Sequence, residues 1–210
     1  MIFIIIFVSN QYEILEMFEK ITALFNDFTF LTPKDLYQLA YIFKIKHIEK
    51  GEHFVKEGEY NYYAFRVMSG LLSHYIVDNN GIERTLLFVP EKRFSGAMQC
   101  TINKKPADEN IIALENSYLA MCDVRELEKL AADNIRILKM LNQSYKDIIS
   151  AASTRIKFLI ANSPEECYIH FTKTYPNLEQ RVKQKDLASF LGITVTSLSR
   201  IRARIAKNKG

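Results

Sequence analysis

Thr196, Ser199 and Arg200 carry the side chains best suited to meet another molecule, because a 3.6-residue period through Leu198, Ile201 and Ile205 turns all three to one face. Ala203 and Lys207 share that face, and Arg202 and Arg204 flank it. A face of this kind suits the major groove of duplex DNA. A guanidinium such as that of Arg200 pairs bidentately with guanine, threonine and serine meet base edges or a thymine methyl, and further cations neutralise phosphates. With Thr194 and Val195 at the start of the run, the candidate DNA contacts are Thr194, Val195, Thr196, Ser199, Arg200, Arg202 and Arg204.

Two closely crossed helices must hold that face, and the stretch from Gln184 to Ala203 is spaced for them. Ala188 is small where the helices would cross, and Gly192 supplies the positive φ for the turn between them. Leu187, Leu191, Ile193, Leu198 and Ile201 then meet in the crease, and Thr194 is placed to cap the second helix. The competing reading is an ordinary amphipathic hairpin with a solvated basic face. Several spacing constraints met at once favour the helix-turn-helix.

The 210 residues allow one large domain or two small ones, and 48% hydrophobic content is enough for real cores. The net charge of +4 is unevenly spread. Residues 151–210 hold 11 Lys and Arg against 4 Asp and Glu, a surplus of seven, which leaves residues 1–150 at −3. A basic C-terminal part behind a mildly acidic body fits a nucleic-acid reader joined to a separate sensing part. Cys100, Cys122 and Cys167 are odd in number and far apart, so they suggest reduced thiols in the cytoplasm rather than disulfides or a CxxC site. His47, His53, His74 and His170 have no metal-ligand spacing, so no metal or cofactor is expected. No nucleophile or paired-carboxylate constellation suggests catalysis; Asp108 and Glu109 are adjacent in an expected loop. The apolar run Ile2–Val8 is far shorter than the roughly 20 residues that cross a bilayer, and no membrane role is expected.

Along the chain, helical spacing from Tyr12 to Phe25 and from Thr32 to Leu39 precedes a change of rhythm. Strands are expected over Tyr41–Ile48, His53–Lys56, Tyr63–Met68, Leu71–Val77, Arg84–Val89, Ile111–Leu114 and Tyr118–Asp123, separated by Gly- and Asn-rich turns. After Val124 the helical period returns. A stripe of Ile135, Leu138, Asn142, Tyr145, Ile149, Ala152, Ile156 and Leu159 alternates steps of three and four, as in a helix whose seam meets a partner helix, with Asn142 setting register. Packing of this stripe on the chain's own β domain is the other reading. Ser163-Pro164 ends the helix, and Glu165–Thr174 forms another. The expected class is α+β: an antiparallel, jelly-roll-like β-roll flanked by helices in 1–130, a long dimerisation helix in 131–162, and an all-α helix-turn-helix domain in 163–210.

A β-roll, a long seam helix and a C-terminal helix-turn-helix, in that order, resemble the Crp/Fnr family of transcription regulators. The likeness rests on Lys50-Gly51-Glu52, Glu57-Gly58-Glu59, Ser69-Gly70, Asn80-Gly81, Phe94-Ser95-Gly96 and Leu191-Gly192-Ile193-Thr194 before Leu198-Ser199-Arg200-Ile201. It implies a homodimer on double-stranded DNA, contact with RNA polymerase, and a small effector held in the roll. The effector pocket it implies comprises Phe94, Ser95, Gly96, Ala97, Ala107, Asp108 and Ser153.

The resemblance also exposes departures. Cyclic-nucleotide-binding members hold the ribose with a Glu where this chain has Ala97, and the cyclic phosphate with Arg-Ser where it has Ala107-Asp108. Losing a cation and gaining a carboxylate costs on the order of several kcal/mol, so cyclic AMP is not the expected effector; Lys104 and Lys105 would restore an anion site only with the loop rearranged. No cysteine precedes Cys100 to hold an iron–sulfur cluster, and His74 alone is weak support for haem. Val195-Thr196 replaces the Arg-Glu pair of many relatives, which implies a different operator. The sequence ends at Gly210, so no β-hairpin wing is expected. A ligand- or partner-binding module with a vestigial reader is the alternative function.

Overall fold

The computed structural model describes residues 15–207, which fall into two compact units. One comprises the chain up to Leu72 together with Val89–Lys146; the other comprises Ser73–Phe88 and the chain from Asp147 onward. The run Ile2–Val8, with Tyr12 and Ile14 of the first expected helix, lies outside the described residues.

The first unit begins with helix α1, residues 15–24, and α2, Pro33–Ile42. Thr32 and Asp35 form a capping box, the Asp35 carboxylate accepting from the Thr32 N–H at 2.8 Å, and Pro33 follows where a missing N–H costs nothing. α2 continues past the expected Leu39, so the strand expected from Tyr41 starts only at Lys44. Packing explains the shift. Leu39, Ala40 and Phe43 are buried together with Ile21, Leu24 and Phe25, and a helix brings positions 39 and 43 to one side.

Among the described residues the strands are β1 Lys44–Ile48, β2 His53–Val55, β3 Tyr63–Ser69, β4 Leu72–Val77, β5 Glu83–Val89, β6 Phe94–Gly96, β7 Asn110–Ala113 and β8 Ser117–Asp123. In the first unit one sheet has the order β1-β8-β3-β6, and β2 pairs antiparallel with β7, His53 opposite Ile112. β8 pairs antiparallel with β1, Ala120 opposite Ile45, and with β3, Met121 opposite Phe65. The seven expected strands are present, and β6, only three residues long, is additional. Gly70 turns the chain between β3 and β4 with φ +98°, and a Cβ there would meet the Ser117 hydroxyl at 2.2 Å, so only glycine fits.

Helix α3, Met98–Thr101, and α4, Val124–Asp133, lead to α5, Ile135–Ala161. The break between α4 and α5 is built by Asn134. Its carbonyl oxygen Oδ1 accepts from the Arg136 N–H at 3.0 Å while its amide donates to the fully buried Asp35 at 2.7 Å. α5 carries two stripes of different fate. Ile137, Met140 and Ser144 are buried within the first unit's core side, whereas Ile135 is 73% exposed, Ile149 64% and Ile156 58%. Leu138, Asn142, Ala152 and Leu159 of the expected seam are also exposed, and Tyr145 is half-buried.

The second unit contains the β4–β5 turn region, the later part of α5, and α6 (Pro164–Thr174), α7 (Leu178–Arg181), α8 (Gln184–Phe190) and α9 (Val195–Lys207). Ser163 starts α6 with a second capping box, its hydroxyl accepting from the Glu166 N–H and the Glu166 carboxylate accepting from the Ser163 N–H. α7 is four residues entered through Asn177 at φ 68°, too short to register as a period. Phe88, Phe171 and Phe190 form its aromatic core, with ring centroids 5.2 to 6.2 Å apart.

Candidate nucleic-acid interface

The two helices expected near the C-terminus are α8 and α9, and the crease between them is apolar and buried. Leu187, Ala188, Leu191, Leu198 and Ile201 are buried, and Gly192 turns the chain at φ +70°. The Thr194 hydroxyl accepts from the Ser197 N–H at 3.1 Å, capping α9 as its position suggests. Above this base the residues Thr194, Val195, Thr196, Ser199, Arg200 and Ala203 are exposed on one side of α9. The fold therefore brings the base-facing candidates together. The Ser199 hydroxyl donates to the Val195 carbonyl at 3.1 Å, which occupies its proton.

Arg202 and Arg204, expected on the flanks of this face, each pair with a carboxylate. Arg202 is half-buried, its guanidinium 2.8 Å from the Glu179 carboxylate of α7 and 5.9 Å from the Tyr168 ring centroid. The Tyr168 hydroxyl donates to the same carboxylate at 2.6 Å, and burial, followed by that hydrogen bond, raises its pKa. Arg204 pairs with Glu165 of α6 at 3.0 Å. Both arginines thus tie α9 to α6 and α7. The cause is spacing that a linear pattern hides: Glu165 and Glu179 lie 39 and 23 residues before their partners.

The second unit also holds a cation that sequence reasoning missed. Arg155 of α5 donates to the carbonyl oxygens of Leu86, Thr85 (3.3 Å) and Phe190 (3.0 Å), and its guanidinium lies 4.4 Å from the Phe190 ring centroid. Burial lowers its pKa. The Thr85 N–H donates to the Ser189 hydroxyl at 2.8 Å, and Lys185 pairs with Glu83 at 3.1 Å. No period or motif marks Arg155, since its partners are backbone atoms of distant residues.

The expected effector residues differ in exposure and in their bonding partners. Gly96 and Ala97 are buried, and the Ala97 carbonyl accepts from the Thr101 N–H and hydroxyl. Ala107 is buried and exchanges backbone bonds with Gly58 and Glu59, while Asp108 is exposed and accepts from the Gln99 amide at 3.1 Å. Lys104 is committed to the Thr101 carbonyl and to Glu128. Phe94 packs with Phe25 and Phe28 around the buried Arg66 guanidinium, which bonds Asp27 at 2.6 Å and the Lys92 carbonyl at 2.9 Å. Ser95 pairs with Phe65 across β6 and β3, and Ser153 is half-buried on α5 in the other unit. Among the described residues no group of three or more His, Cys, Asp and Glu is placed to hold a metal, and no helix is long and apolar enough to cross a membrane.

Residues 45–134 match the family model of the cyclic nucleotide-binding domain. No curated protein sequence matches the chain significantly. Among solved structures, FixK2 from Bradyrhizobium japonicum is similar at TM-score 0.70 and 15% identity, covering 80% of this chain and 86% of its own. A Crp/Fnr-family transcriptional regulator from Eubacterium rectale has TM-score 0.66 and 16% identity over 88% of this chain and 87% of its own. CLP, the c-di-GMP-responsive global regulator of Xanthomonas campestris, has TM-score 0.65 and 16% identity over 82% and 90%. The chain therefore has the fold of the Crp/Fnr transcription regulators, with a cyclic nucleotide-binding-type roll, a long helix and C-terminal helices.

Proposed function

We propose that the chain is a homodimeric, sequence-specific DNA-binding transcription regulator whose effector is not cyclic AMP. The observation that carries the reading is the α8–α9 pair: a buried crease beneath an exposed face of Val195, Thr196, Ser199 and Arg200 with no carboxylate on it. The exposed stripe of Ile135, Ile149 and Ile156 supports a second copy as the partner of α5, since the same helix already meets its own unit through Ile137 and Met140. Buried Ala97 and the carboxylate of Asp108 argue against a cyclic phosphate. The test is selection from a random duplex library followed by footprinting at moderate salt; failure to enrich any sequence sinks the reading. Calorimetry with cyclic AMP addresses the effector, and micromolar binding would overturn its exclusion.

A second reading, a partner-binding module with a vestigial reader, draws on the commitment of Arg202 and Arg204 to carboxylates. Capture of a defined protein partner together with no DNA binding would favour it.

A further inference from the structure

We infer that the base-facing surface of α9 reads thymine methyl groups, with Val195 as its anchor, so that each half-site carries a thymine where Val195 meets it; this rests on the DNA-binding reading above. Between residues 164 and 207, Val195 is the one exposed large apolar side chain among the described residues, at 41%. A β-branched side chain left 41% exposed at the start of a helix gains only part of the available burial and no helix propensity, so folding constrains its type weakly. Several of its polar neighbours are already engaged within the chain. The Ser199 hydroxyl is bonded to the Val195 carbonyl, the Thr194 hydroxyl accepts from the Ser197 N–H and lies 3.0 Å from the Ser197 hydroxyl, and Arg202 and Arg204 are held by Glu179 and Glu165.

On the exposed side the methyl groups of Val195, Thr196 and Ala203 stand beside the Thr196 hydroxyl and the cations of Arg200 and Lys207. Positions 195, 196, 199, 200 and 203 lie within one side of a helix of 3.6 residues per turn, so they face a single surface together. In the major groove the C5 methyl distinguishes thymine from cytosine, and aliphatic side chains recognise it by contact. One buried methyl is worth about four-fold in affinity, and two symmetric half-sites on the order of fifteen-fold.

The test uses the full chain and the site it selects from a random duplex library. Each thymine of that site is replaced in turn by deoxyuridine, which removes only the methyl, and binding is measured for wild type, Val195→Ala and Val195→Thr. The expected result is one thymine per half-site whose replacement weakens wild type about four-fold per half-site and leaves Val195→Ala unaffected, with Val195→Thr between them. Equal sensitivity of wild type and Val195→Ala at every thymine overturns the inference while leaving DNA binding intact. A library with no enriched sequence overturns the DNA-binding reading and the inference with it.

Discussion

Arg155 holds Phe190 twice, donating to its backbone carbonyl at 3.0 Å and lying over its ring at 4.4 Å. The same guanidinium reaches the carbonyls of Leu86 and Thr85, so one side chain satisfies three acceptors from two separate chain segments. Planar geometry with several fixed donors is what makes arginine suited to this, and a lysine could not reproduce it. Arg155→Met is expected to destabilise the second unit by about 2 to 4 kcal/mol, because carbonyl oxygens lose donors while the alkyl packing is kept. Arg155→Lys should fall between the two. Denaturant unfolding followed by a probe in this unit measures the midpoint shift; an unchanged midpoint in Arg155→Met would refute the assignment.

Asp35 is expected to carry part of the acid sensitivity of the first unit. The Arg136 hydrogen bond, with Thr32 and Asn134 adding to it, holds the buried carboxyl well below the usual carboxylate range despite desolvation. A depressed folded-state pKa means that the stabilisation is present above the unfolded-state pKa of about 4 and is lost as pH falls below it. Wild type should therefore lose stability steadily from about pH 4 downward, while Asp35→Asn starts lower by roughly 2 kcal/mol and shows a shallower dependence. Urea titrations of both proteins from pH 7 to pH 3 check this; parallel profiles would exclude Asp35 as the cause.

Salt dependence separates the cations of α9. If Arg202 positions the helix through Glu179, Arg202→Ala weakens binding to every sequence without altering the slope of log affinity against log salt. A phosphate contact would instead lower that slope by about 0.9 per half-site. Arg200→Ala should cost about 1 to 3 kcal/mol on the selected site and relax discrimination at one base pair. Binding titrations at four salt concentrations on specific and random duplexes distinguish these outcomes.

The proposed dimer makes a prediction about mass. Ile149 and Ile156 are exposed in the single chain, so charged residues there leave the fold intact but would be desolvated between paired helices. Ile149→Lys with Ile156→Lys is expected to shift the species in sedimentation equilibrium from two chains to one, with unchanged helix content by circular dichroism. A wild-type chain sedimenting as a monomer at micromolar concentration would contradict the dimer.

Much of this architecture was legible in the amino-acid sequence because it depends on local geometry. The 3.6-residue period, a small residue at Ala188 and a positive-φ glycine at Gly192 mark the α8–α9 pair, and period-two runs between turns mark the strands. Tertiary structure decided what depends on distant partners. The helix through Tyr41 and Ile42 outlasts its expected end because Phe43 completes a core formed with residues 21 to 25. The roles of Arg66, Arg155, Arg202 and Arg204 turn on a carboxylate or carbonyl far away in sequence. A long flexible cation reads the same in sequence whether it faces solvent or a buried acceptor, and only the folded chain places the acceptor within 3 Å.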